Sequence, residues 1–123
     1  MPKKILVVED DTDNRRIVAK ALSVEGYEII EAVDGVEGLA RALADSPDLI
    51  LMDLALPNMD GWEATRRLKS DPKTRSIPVI ALTAVAMRGD EEQARAAGCD
   101  DYISKPARPG AIREIVKKYT GGG

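Results

Sequence analysis

Glu9, Asp10, Asp53, Thr83 and Lys105 are the residues of this chain whose types and spacing are best suited to chemistry. Each follows or closes a short run that reads as a strand. Ile5-Leu6-Val7-Val8 runs into Glu9-Asp10-Asp11, Leu49-Ile50-Leu51-Met52 into Asp53, Val79-Ile80-Ala81-Leu82 into Thr83, and Asp101 to Ser104 into Lys105. A single polar residue after a strand means little; three carboxylates, a hydroxyl and an ammonium brought together mean more. Clustered carboxylates repel one another and stay ionised cheaply only with a cation between them. An oxygen-rich group of this kind suits Mg²⁺, which keeps several waters and takes one or two carboxylates. A metal ion beside a Lys and a Thr suits a phosphoryl group, whose charge the cations offset and whose oxygens the hydroxyl can meet. An Asp can itself attack phosphorus and form an aspartyl phosphate.

The composition narrows the chemistry further. Among 123 residues there is no His and one Cys, so His-based catalysis, ordinary zinc ligation and a disulfide framework are excluded. Lys and Arg total 18 against 21 Asp and Glu, a net charge of −3, and aromatics are 3% with no Phe. A nucleic-acid binder would usually carry a basic excess, and stacking on bases needs aromatic faces, so nucleic acid is not the expected partner. No apolar run approaches the roughly 18 residues of a transmembrane span, and no signal-peptide core follows Lys3 and Lys4. A cytoplasmic protein without membrane contact is the expectation.

Other polar and punctuating residues read as structural. Asp11 and Asp13 stand where a helix begins, and cap it. Trp62 packs, Pro57 and Gly61 belong to a loop that reverses quickly, and Cys99 is a structural thiol. Pro106 permits a cis Lys105–Pro106 bond that would aim Lys105 into the site, but the sequence alone favours a loop proline before a helix.

The elements that must position these groups alternate regularly. Strands are expected at Ile5–Val8, Glu28–Ala32, Leu49–Met52, Val79–Leu82 and Asp101–Ser104. Between them run helical patterns: Ile17, Val18, Ala21 and Leu22 up to a stop at Gly26; Leu39, Ala40 and Leu43, ending before Pro47; Gly61 to Ser70; and Arg88 to Ala97, stopped by Gly98. Ile112, Ile115, Val116 and Tyr119 mark an amphipathic last helix. This is a (βα) unit taken five times, an α/β fold with a parallel sheet and helices on both faces. Ligands of such open sheets bind outside the carboxyl ends of the strands, where the five residues fall. Residues 1–120 form one domain and 121–123 a flexible glycine tail.

The residues so assembled resemble the receiver domain of bacterial two-component response regulators, a CheY-like family. The match covers residues 3 to 119. It rests on Ile5-Leu6-Val7-Val8-Glu9-Asp10-Asp11, Leu51-Met52-Asp53-Leu54-Ala55-Leu56-Pro57 with Met59-Asp60-Gly61, Ala81-Leu82-Thr83-Ala84 and Ser104-Lys105-Pro106. Ala86 to Glu92, with Gly98-Cys99 and Tyr102-Ile103-Ser104, further resembles DivK-type single-domain regulators.

The resemblance implies a five-stranded sheet in the order 2-1-3-4-5 and a flavodoxin-like topology. It implies that Asp53 is the phosphoacceptor, attacking a phosphohistidine on a sensor histidine kinase or phosphotransfer protein in a Mg²⁺- or Mn²⁺-dependent reaction. Asp10 would bind the metal directly and Glu9 through water, with Asp53 and the backbone carbonyl of Ala55 completing the protein ligands. Lys105 would pair with the phosphoryl group; Thr83 and Tyr102 would move in response. A surface across the fourth helix, fifth strand and fifth helix would then be read by a downstream protein. Such a domain is a stoichiometric phosphoacceptor rather than an enzyme, a monomer or a weak phosphorylation-dependent dimer. Ala55 and Val85, two positions after the acceptor and the hydroxyl, are apolar and orient no attacking water, which implies slow dephosphorylation.

Rival readings are a receiver excised from a hybrid histidine kinase and a haloacid-dehalogenase-type phosphatase, whose Asp-x-Asp spacing Asp11-Thr12-Asp13 shares. A calcium loop at Asp11 to Asp13 lacks the required Gly and distant Glu. A pseudo-receiver used only for binding would not need Asp10, Asp53, Thr83 and Lys105.

Overall fold

The structure, a computed structural model, describes residues 2–54, 56, 59–83, 92, 95–104 and 108–121. Its strands are β1 (Lys4–Val8), β2 (Glu28–Ala32), β3 (Leu49–Asp53), β4 (Val79–Thr83) and β5 (Asp101–Ser104). Its helices are α1 (Thr12–Ser23), α2 (Gly35–Asp45), α3 (Gly61–Ser70), a stretch α4 described as helical at Glu92 and residues 95–97, and α5 (Pro109–Thr120). All strand pairs are parallel, in the order β2-β1-β3-β4-β5.

The short apolar runs form central strands because both sheet faces are covered. Along each strand the side chains alternate between two cores. Leu6, Val8, Ile50, Met52, Val79 and Ala81 meet Ala42 of α2 and Ala64 and Leu68 of α3. Ile5, Val7, Leu49, Leu51, Ile80 and Leu82 meet Val18 and Leu22 of α1 and Ile112 and Val116 of α5. Trp62 packs at the edge of the first core, and Cys99 is buried in it. Burial pushes the Cys99 thiol above its ordinary range, although it donates to Thr65 Oγ1 at 3.8 Å. Both are structural, as expected.

Asp11 caps α1, its Oδ1 accepting the Asn14 N–H at 2.8 Å, and Asp13 lies in the first turn. Two helix faces differ from the sequence expectation. Ile17 and Leu43 are each about half exposed, whereas Gly35 and Gly38 are buried. The inner face of α2 is therefore Gly35, Gly38, Leu39 and Ala42, and α2 approaches β1 so closely that a Cβ on Gly38 would lie 3.0 Å from Val8 Cγ2. Helix α1 ends at Ser23, before Gly26, whose φ of +92° turns the chain into β2. Gly121, assigned from sequence to a flexible tail, caps α5 in the left-handed conformation, with its N–H on Lys117 O at 2.9 Å.

Candidate functional site

The carboxyl ends of β1 and β3 are adjacent, because Val8 pairs with Met52. The next residues on these strands are Glu9 and Asp53, so both acids emerge at one rim. Backbone bonds extend the ladders just past the strands: Glu9 N–H donates to Ala32 O at 3.0 Å, and Leu54 N–H to Leu82 O at 3.1 Å. Glu9, Asp10 and Asp53 each bring a carboxylate oxygen within 4.8 Å of the other two. Glu9 is 1% and Asp53 2% exposed, while Asp10 lies open to solvent. Two buried acids and one exposed acid thus share a small volume, with the exposed one at its mouth.

Burying carboxylates side by side is costly unless opposite charge is supplied. An all-oxygen donor set open to water on one side fits a hard divalent cation of the Mg²⁺ type, which demands oxygen ligands and retains waters. The three acids fit such an ion on this ground.

Along the same rim, Asp53 pairs with Leu82 and Thr83 closes β4 opposite Ser104, the last residue of β5. Tyr102 stands two residues earlier on β5, half-buried against the first core. Lys105, Pro106, Ala55, Pro57 and Val85 lie outside the described residues, so their expected contributions belong to the sequence alone. Helix α3 begins against the residue that follows β3. Asp60 caps that helix, accepting the Glu63 N–H at 2.9 Å, and Gly61 N–H returns to Leu54 O at 3.1 Å.

Two neighbours of the acidic triad were not among the residues expected to bear on its geometry. Arg15 reaches from α1 to the carbonyl of Glu9, at 3.0 Å from Nη1. A cation near a helix N-terminus opposes the macrodipole and calls for a partner, but nothing in the local spacing names Glu9 or Glu31 as that partner. Gly61 is the other: a Cβ there would strike the Asp53 carbonyl oxygen and lie 2.7 Å from Leu54 Cα. The phosphatase reading loses its anchor, because Asp11 is occupied as a helix cap and Thr12 and Asp13 are inside α1.

Residues 5–117 match the response regulator receiver domain family. The chain is 46% identical over 121 residues to the polar-differentiation response regulator DivK of Brucella anthropi, covering 98% of both chains. It is similar to the receiver domain of the sensor histidine kinase PA1611 from Pseudomonas aeruginosa, a structure with magnesium coordinated in its active-site cleft. That match has a TM-score of 0.91 at 35% identity and covers 99% of this chain and 100% of the other. It is also similar to the receiver domain of Ssk1, solved with the histidine phosphotransfer protein Ypd1 of Saccharomyces cerevisiae, with a TM-score of 0.90 at 26% identity over 96% and 88% of the two chains. The parallel sheet in the order 2-1-3-4-5, the acidic triad on its carboxyl rim and these likenesses agree: the chain belongs to the response regulator receiver domain family.

Proposed function

We propose that this receiver accepts a phosphoryl group on Asp53 from the phosphohistidine of a sensor histidine kinase or phosphotransfer protein. The observation that carries the reading is the triad of Glu9, Asp10 and Asp53, with carboxylate oxygens within 4.8 Å at the carboxyl rim of the sheet. An Asp53 oxygen attacks phosphorus, a P–O bond forms, the P–N bond to the donor imidazole breaks, and the imidazole leaves with a proton from solvent. Mg²⁺ or Mn²⁺, when bound, offsets charge on the phosphoryl oxygens and on the acids. Asp10 would hold the ion directly with Glu9 assisting through water, and Asp53 and the Ala55 carbonyl would supply the remaining protein ligands. Lys105 pairs with the transferred group. Thr83 gains a phosphoryl partner only in the modified state and, with Tyr102, biases the equilibrium toward a second conformation.

Receiver domains pair with histidine kinases or phosphotransfer proteins and are in general non-catalytic signalling domains. Here residues 1–120 are the receiver, and the protein is consumed stoichiometrically, promoting only its own phosphorylation and slow dephosphorylation. Its output is a surface across α4, β5 and α5, read by a downstream protein, with the chain a monomer or a weak phosphorylation-dependent dimer. An open groove of about 590 Å³ lined by Tyr102 and Ile103 on β5 and Glu114, Ile115 and Lys118 on α5 supports this reading. The site of action is the cytoplasm; among the described residues no helix is long and apolar enough to cross a membrane.

Mixing the protein with a phosphorylated histidine kinase of its host and Mg²⁺ is expected to move label from kinase to receiver, with EDTA stopping transfer. Equal transfer with EDTA would remove the metal from the reading. Once labelled and freed of kinase, the receiver is expected to lose phosphate slowly, because the apolar Ala55 and Val85 cannot orient water. A half-life as short as that of fast chemotaxis receivers would refute this.

A further inference from the structure

Helix α1 carries Arg15 and Arg16 close to its start, where a cation opposes the helix dipole. Arg16 is exposed, but the Arg15 side chain is only 14% exposed. Its Nε donates to Glu31 Oε1 on β2 at 3.0 Å, and its Nη1 donates to the carbonyl oxygen of Glu9 at 3.0 Å. That carbonyl belongs to the peptide joining Glu9 to Asp10, two of the three acids at the rim. The other side of Glu9 is also held: its N–H donates to Ala32 O at 3.0 Å, and its Oε2 accepts the Asp11 N–H at 3.4 Å.

We propose that Arg15 is a positioning residue of the divalent-cation site, a strut from Glu31 to the Glu9 carbonyl that fixes the peptide from which the Glu9 and Asp10 carboxylates project. The inference rests on the reading that Glu9, Asp10 and Asp53 hold a divalent cation. Glutamate has one more rotatable bond than aspartate, so ordering its carboxylate costs more entropy and gains more from a fixed backbone. The rigid guanidinium fork can hold the carbonyl and the carboxylate at once, which an ammonium cannot do with the same geometry. Because Glu31 offsets its charge, Arg15 acts through geometry more than by repelling the metal.

The test is the affinity for Mg²⁺ alone, by isothermal titration, and for Mn²⁺ by electron paramagnetic resonance, with no phosphodonor present. Arg15→Ala is expected to weaken binding about tenfold, the lower end of what partners behind a metal ligand contribute. Arg15→Lys is expected to lose about threefold, since it satisfies one acceptor at a time. Arg16→Ala removes the same charge without the contact and is expected to stay within about twofold. Affinity unchanged or tighter in Arg15→Ala, or an equal loss in Arg16→Ala, overturns the proposal. Thermal unfolding in EDTA shows whether Arg15→Ala folds. If it does not, Arg15→Lys decides, and binding equal to the parent's refutes the strut. Failure of the unaltered protein to bind either ion overturns the cation site itself, and the strut with it.

Discussion

Asp53→Asn is expected to abolish phosphoryl labelling, with a small phosphodonor and Mg²⁺ or with a phosphorylated kinase. Asn fills nearly the same volume at this 2% exposed position, so the variant should still unfold cooperatively. What it lacks is the chemistry. An amide oxygen carries no full charge and is a poor nucleophile toward phosphorus. The substitution also removes one of the three carboxylates within 4.8 Å, so Mg²⁺ affinity should fall as well. Intact-mass analysis separates the two losses: raising Mg²⁺ to saturation would rescue a variant impaired only in metal binding, and no labelling should return. Stoichiometric labelling of Asp53→Asn would place the acceptor elsewhere and overturn the assignment.

Why the strands were legible, and parts of the helices were not, follows from what each buries. A central strand of a parallel sheet is covered on both faces, so it reads as an unbroken apolar run ended by the first polar residue. Among the central strands, β3 and β4 each end on the polar residue that closes the run, Asp53 and Thr83; the edge strands β2 and β5 are only partly covered, yet keep the expected limits Glu28–Ala32 and Asp101–Ser104. The same rule made the acids legible, since a polar residue ending a buried strand emerges at the rim. Helix faces are subtler. Ile17 and Leu43 fit the apolar periodicity yet lie half exposed, while Gly35 and Gly38 carry no hydrophobic signal and are buried. Glycine there serves close approach: a Cβ on Gly35 would strike the Met59 carbonyl, and one on Gly38 would crowd Val8. Arg15 was hidden for a different reason. Its partners are a backbone carbonyl six residues back and a carboxylate sixteen residues ahead, a pairing that no local spacing encodes.

Gly61→Ala should be the most damaging small substitution near the site. Helix α3 begins against the end of β3, with Gly61 N–H on Leu54 O at 3.1 Å and Gly61 O accepting from Thr65 Oγ1 at 2.7 Å. An added Cβ would meet the Asp53 carbonyl oxygen, lie 2.7 Å from Leu54 Cα and lie 3.0 Å from the Asp53 carbonyl carbon. All three are backbone atoms of a strand end, so no rotamer change relieves the clash. Either α3 or the residues carrying Asp53 must move. Overpacking of this kind costs about 2–3 kcal/mol. For a domain of this size that is a fall of roughly 10 °C in Tm. Because the displaced atoms are those of Asp53 itself, labelling should slow beyond what lost stability explains when measured well below the variant's Tm. Gly110→Ala is the control. It lies in α5 with nothing within 4 Å of an added Cβ, so stability should hold or rise by up to about 1 kcal/mol. A Gly61→Ala protein within about 0.5 kcal/mol of the parent, labelled at the parental rate, would show that β3 and α3 separate freely and that the glycine does not set the position of Asp53.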